Sequence, residues 1–306
     1  MDFGSIFKEL RIKNKMTQKS IVKKFHELDN YNSELSSIDV VSISRWERGV
    51  TIPIKSKMIL ALRALDGDIY SLYKELKLRN TESESREYIS FCKIVGSTGN
   101  LTYMAIKRQF ETSEYKDVAY SPSNPLTKKK EIELIAEYFF GKRGDRKISL
   151  NMDELISQQI NGDVRYLCRY DKNMNIVAHS FWAKYSNCQK VSFIEAFKNA
   201  QRIQPYQKEN ESFLYIPDFT WHNKDWFFFV IDQLIVELLK DNNILKVYIG
   251  YHLDVSLSIL SKLGFKVTSL RKTGCDKKIE IKLAEIDSHI LLSNVDLMNR
   301  VIKLAT

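Results

Sequence analysis

The chain has 306 residues, room for two domains and a sizeable core, which excludes a mini-protein held together by staples. Apolar residues make up 44%, charged residues 28% and aromatics 11%, a balance that excludes a disordered chain or a membrane protein. The net charge of +9, from 47 basic and 38 acidic side chains, favours a polyanionic partner, and it is denser at the start: residues 1–80 hold 15 basic and 10 acidic groups.

Cys92, Cys168, Cys188 and Cys275 form no C-x-x-C pair and have no histidine at zinc-ligand spacing, so they read as reduced thiols of a cytoplasmic protein. The first residues lack the basic and apolar regions of a secretory signal. The most apolar stretch, 226–239, is interrupted by Asp232 and Glu237 and is too short to span a bilayer, so no membrane partner is expected.

In chain order, Ile6, Phe7 and Leu10 mark a first helix, and Ile21, Val22, Phe25 and Leu28 a second that starts at Thr17. A polar stretch 29–37 precedes a short helix 39–48, which Gly49 closes in left-handed geometry with Pro53 beyond. Runs 56–65 and 69–76 complete about five short helices in residues 1–78. Residues 79–127, rich in Ser, Thr, Glu, Tyr and Asn, read as a partly helical connection ending in S-P-S-N-P-L-T. An α/β pattern follows: helices 131–140 and 152–160, a hairpin of strands 164–170 and 176–185, helix 193–201 and strand 213–221. Helix 225–240, strand 245–249, helix 254–263 and paired strands 265–270 and 278–283 complete it. The tail 286–306 reads as one amphipathic helix, with Leu291, Leu297, Val301 and Ile302 on its apolar side, either packed on its own sheet or forming a dimer seam.

The segments Phe7 to Ile21 and Ser42 to Pro53 resemble the Xre family, the lambda-repressor type of five-helix, helix-turn-helix DNA-binding domain. Leu10, Arg11, Thr17, Gln18, Ile43, Ser44, Arg45, Glu47, Arg48, Gly49 and Pro53 carry the resemblance over about 70 residues, with roughly ten additional residues centred on 30–37. It implies that Asp39 caps a recognition helix and that Val40, Val41, Ser42, Ser44 and Arg45 approach the bases. Lys15, Lys19 and Arg48 are then expected at the phosphate backbone, Gln18 at a phosphate or a base, and Thr17 among the DNA-binding residues. Arg11 and Glu47 read as an internal ion pair, and Ile43 and Trp46 as core. The implied partners are a double-stranded DNA operator and a second copy of the chain.

Residues 128–285 resemble the GNAT (Gcn5-related acetyltransferase) fold in their order of elements, in L-S-I-L-S-K-L-G-F-K-V (257–267) and in F-L-Y-I-P-D-F-T-W-H (213–222). That family grips the pyrophosphate of acetyl-CoA with a glycine-rich loop at a helix start, where backbone N–H groups approach closely. Here no glycine occurs between Asp163 and Ile249, and the corresponding stretch is H-N-K-D-W-F-F-F-V. The family's tyrosine acid, four residues before the glycine of L-G-F, is replaced by Leu260.

The expectation is a multidomain chain, an all-α helix-turn-helix domain at 1–78 followed by a GNAT-like α/β domain with a mixed sheet at 128–285. It reads as a transcriptional regulator, not an enzyme, with no required cofactor. Its GNAT-like cleft, lined by Trp221, His222, Asp225, Trp226 and His252, senses a small molecule, with acetyl-CoA or another acyl-CoA as a candidate ligand, or holds a protein effector. The alternatives are a DNA-associated acyl-CoA-dependent N-acyltransferase and a phage- or antitoxin-type regulator.

Overall fold

Three helices near the start of the chain begin in the same way, with a short polar side chain accepting a hydrogen bond from a backbone N–H left without an intrahelical partner. The computed structural model describes residues 2–27, 34–67, 69, 72–73, 89–97, 114–129, 152–174, 176–199, 211–217, 221, 223–251, 254–273, 279–294 and 296–305. Asp2 accepts from Ser5 N–H at 2.8 Å and starts α1 (Phe3–Lys13). Thr17 Oγ1 accepts from Ser20 N–H at 3.0 Å ahead of α2 (Gln18–Glu27). Asp39 accepts from Ser42 N–H at 2.7 Å and starts α3 (Val40–Glu47), which ends before Gly49 at φ +68°. Helix α4 (Lys55–Ala64) follows.

The chain divides into two units. The helical unit takes Met1–Phe91 together with Leu234–Asn242 and Ser288–Thr306, and the sheet unit takes Cys92–Gln233 and Asn243–Asp287. In the helical unit, Phe7, Ile21, Phe25, Ile43, Ile59 and Leu62 are fully buried. The rings of Phe3 and Phe7 each meet Trp46 edge-on with centroids 6.0 Å apart. That contact requires Gly4, because a Cβ there would lie 2.1 Å from the Trp46 carbonyl oxygen. The late segments complete this core. Arg63 donates to the Leu238 carbonyl and the Ser288 hydroxyl. The Tyr73 hydroxyl donates to the Leu292 carbonyl at 3.0 Å.

The sheet unit holds β1 (Lys116–Ala119), α5 (Met152–Ile160), β2 (Val164–Tyr170), β3 (Ile176–Ser186), α6 (Lys190–Lys198), β4 (Ser212–Ile216) and the first part of α7 (Lys224–Lys240). It continues with β5 (Ile244–Tyr251), α8 (Asp254–Leu263), β6 (Lys266–Thr273) and β7 (Ile279–Asp287). The strands lie in the order β1-β2-β3-β4-β5-β7-β6. All described pairs are antiparallel except β4–β5, whose register runs from Ser212↔Ile244 to Ile216↔Ile249. Alternation places Tyr166, Cys168, Tyr170, Phe181, Tyr185, Phe213, Tyr215 and Tyr248 in one core with Phe193 and Phe197 of α6. Leu167 and Arg169 therefore face the other side of the sheet.

Several predicted elements change. The expected strand 213–221 stops at Ile216, because Pro217 has no N–H to continue a ladder. The connection read as partly helical is helical over 89–97 and also supplies β1. The tail is not one helix from residue 286: Ile286 and Asp287 extend β7 through pairing with β5, leaving α9 (Ser288–Ser293) and α10 (Met298–Ala305). Leu291, Leu292, Leu297, Val301 and Ile302 are buried, so the apolar side of the tail packs within the molecule. The predicted helix 131–140 lies outside the described residues.

Replacing Gly4 by valine drives a side chain into backbone that has no rotamer with which to give way. The expected loss is about 3 kcal/mol, seen as a lower denaturation midpoint of the full chain; an unchanged midpoint contradicts this packing.

Candidate functional site

Helix α3 presents the residues expected at DNA bases on its outer side. Val40, Val41 and Arg45 are exposed and Ser42 and Ser44 are half-buried, while Ile43 and Trp46 anchor the helix in the core. Lys15, Thr17, Lys19 and Arg48 are also exposed. Gln18 is engaged within the protein, its Nε2 donating to Glu47 Oε2 at 2.8 Å. Glu47 also takes two bonds from Arg11, at 2.5 and 3.0 Å. Burial alone would raise the Glu47 pKa, but the bonds from Arg11 and Gln18 and the guanidinium charge outweigh it and leave the carboxyl below its usual range. This network holds α1 and α2 to the end of α3.

In the sheet unit, elements converge at the carboxyl end of the parallel pair. Strand β4 ends at Ile216 and the chain reaches α7 at Lys224; β5 ends at Tyr251 and the chain reaches α8 at Asp254. Parallel strands that each feed a helix set two helix N-termini, with their partial positive charge, beyond the same strand ends. Gly250 is required here, since a Cβ on it would fall 2.3 Å from the Pro217 carbonyl oxygen. The same point lies 3.5 Å from the Tyr215 hydroxyl, which places a phenol at this edge.

The start of α7 is tightly held. Asn223 caps it, Oδ1 accepting the Trp226 N–H at 2.9 Å. The same oxygen accepts from Arg169 Nη1 at 2.9 Å. Arg169 is 3% exposed and also makes a two-bond fork to Asp117 of β1. Its guanidinium lies between the rings of Tyr115 and Trp226, 5.2 and 5.4 Å from their centroids.

Of the cleft residues named from the sequence, Trp221 and Trp226 are buried. The Trp221 indole donates to the Val95 carbonyl at 3.3 Å, and its ring meets Phe227 edge-on. Asp225 is exposed on the first turn of α7. His222 and His252 lie outside the described residues. Leu260, at the position of the family's tyrosine, is fully buried. Tyr215, Gly250, Asn223, Arg169 and Asp117 were not singled out from the sequence. Among the described residues, no group of acidic, histidine and cysteine side chains is suited to a metal ion, and no helix is long and apolar enough to cross a membrane.

No protein-family model and no curated protein matches the sequence. Solved structures similar to the chain include NAA60 of Arabidopsis thaliana in complex with acetyl-CoA, 13% identical, covering 57% of this chain and 98% of that one with a TM-score of 0.37. A polyamine N-acetyltransferase of Drosophila melanogaster is 10% identical over 56% and 100% of the two chains, TM-score 0.35. An N-acetyltransferase of Staphylococcus aureus Mu50 is 10% identical over 57% and 99%, TM-score 0.32. The C-terminal part has a seven-stranded mixed sheet with helices between its strands, in keeping with the expected α/β domain. The expectation of a chain that is not an enzyme is corrected: the solved structures similar to the chain include two N-acetyltransferases and one protein in complex with acetyl-CoA.

The Glu47 network predicts an acid-sensitive helical unit. A carboxyl with a lowered folded pKa adds stability above its unfolded value near 4.5, and that stability is lost as pH falls through the folded pKa. The thermal midpoint of the wild type is expected to fall between about pH 6 and about pH 3 more steeply than that of Glu47→Gln; parallel curves contradict it.

Proposed function

We propose that the sheet unit transfers an acyl group from a thioester such as acyl-CoA to an amine, and that the helical unit carries this activity to double-stranded DNA. The observation that supports transfer most is the carboxyl edge of the single parallel pair. There the Gly250–Pro217 approach and the Tyr215 hydroxyl stand at the strand ends from which the chain runs on to α7 and α8. Helix starts stabilise the negative charge that builds on a thioester carbonyl under attack.

In this reading a neutral amine attacks the thioester carbonyl carbon. The C–N bond forms, the C–S bond breaks, and the thiolate leaves with the electron pair. Tyr215 gives its phenolic proton to the thiolate and is reprotonated through solvent by the proton that the amine sheds. Tyr215 stands at the strand end, whereas the family's phenol would stand at Leu260 on α8.

DNA binding is favoured by the exposed Val40, Val41 and Arg45, with the half-buried Ser42 beside them, on a helix whose opposite side is locked by Ile43 and Trp46. Ser42 and Arg45 have the donors to reach base edges, the valines suit thymine methyl groups, and Lys15, Lys19 and Arg48 suit phosphates. A homodimer reading two half-sites is the assembly this requires.

The test of transfer is release of free thiol from acetyl-CoA by the full chain, in the presence of a panel of polyamines, amino acids and peptide amines. Acceptor-dependent release is expected, with Tyr215→Phe lowering kcat about 100-fold. No release with any acceptor overturns the reading, and full activity in Tyr215→Phe overturns the role of that residue. For DNA, duplexes selected from a random pool on the wild-type chain are expected to lose at least about 3 kcal/mol of binding to the Ser42→Ala, Arg45→Ala double variant. Unchanged affinity in a mobility-shift titration removes α3 from the interface.

A further inference from the structure

We propose that the transfer site recognises its acyl donor by the pantetheine thioester arm alone and makes no use of a diphosphate. The inference rests on the transfer reading above and concerns the chemistry of the donor. An anion bound at a helix start uses the backbone N–H groups of the first turn, and close approach there needs glycine or another small residue. At the start of α7 that position is already filled. Asn223 Oδ1 takes the Trp226 N–H and Arg169 Nη1, each at 2.9 Å. Two donors that an anionic oxygen would use thus converge on an oxygen of the protein itself.

The surroundings make this replacement firm. The fork to Asp117 neutralises Arg169, and the Tyr115 and Trp226 rings pack against its guanidinium, so the side chain is not free to swing toward an incoming phosphate. Trp226, Phe227 and Phe228 are 1%, 0% and 4% exposed and fill the volume behind the cap. On the same turn Asp225 sets an exposed carboxylate, a like charge to any diphosphate. No glycine between Asp163 and Ile249 relieves the crowding.

A pantetheine arm makes none of these demands. It is an uncharged chain with two amides ending in the thioester, and it is bound through backbone polar groups and apolar walls. At the carboxyl ends of β4 and β5 the Tyr215 hydroxyl beside Gly250 offers one such polar group. Acetyl-CoA, free acetylpantetheine and pantetheine carried on a protein share this arm, and the site is expected to accept them by it.

The experiment compares acetyl-CoA with S-acetylpantetheine as donors to the full chain, with one amine acceptor and thiol release as the readout. The expected kcat/KM values agree within about threefold. Adenosine 3′,5′-bisphosphate at millimolar concentration is expected not to inhibit. A preference for acetyl-CoA of about thirtyfold or more, or competitive inhibition by the nucleotide, overturns the donor inference and leaves the transfer reading standing. If neither donor releases thiol, the transfer reading itself falls and takes the inference with it. The variant Asn223→Gly removes the oxygen on which Trp226 N–H and Arg169 converge and so opens an anion position. Its preference for acetyl-CoA over S-acetylpantetheine is expected to rise about tenfold. Asn223→Ser, which keeps a short cap for α7, is expected to raise it in the same direction should the glycine variant fail to fold. An unchanged ratio in the folded variant overturns the inference.

Discussion

The Arg169 guanidinium is the constraint from which the sheet unit is organised. It stands on β2, forks onto Asp117 of β1 and reaches the cap of α7, so one side chain fixes an edge strand, its neighbour and the helix that leads away from the parallel pair. A buried ion pair earns its place by geometry more than by net stabilisation, since desolvation offsets much of the attraction. Here the geometry matters because the start of α7 bounds the edge where β4 and β5 end. With that helix fixed, the close approach of Pro217 to Gly250 and the position of the Tyr215 hydroxyl follow from the register of the two strands.

The helical unit depends on a different kind of constraint. Its first four helices are short, and their packing is completed by residues that follow much later in the chain. Arg63 closes on Leu238 and Ser288, and Tyr73 on Leu292, so α4 and the turn beyond it are satisfied by partners more than 150 residues away in sequence. The Arg11–Glu47–Gln18 network does locally what those contacts do at long range, holding the exposed helix α3 in one orientation. An N-terminal fragment is thus an incomplete version of this unit.

Local chemistry made much of the fold legible from sequence. Strand 164–170 and helix 254–263 appear with the bounds their patterns indicate, and Asp39 and Gly49 mark the ends of α3 as their side-chain and backbone preferences require. The failures have physical causes. Lys-Asp-Val-Ala (116–119) is too short and polar to announce a strand, and it becomes one through its pairing with β2, reinforced by Arg169. The apolar spacing of the tail predicts a single helix from residue 286, yet Ile286 and Asp287 pair with β5 and join the sheet. At the site, the two tryptophans were visible as bulky residues in place of glycines. Asn223, Arg169 and Asp117 were not, because they are separated by 52 to 106 positions and meet only in the folded chain.

The central claim, that an acyl thioester lies at the carboxyl end of the parallel pair, is tested most directly by hydrogen exchange on the full chain with and without a non-transferable acetyl-thioether analogue of the donor. Protection is expected in peptides covering 213–217 and 248–251, with the start of α7 little changed. Protection confined to other segments, or none at saturating analogue, contradicts the account.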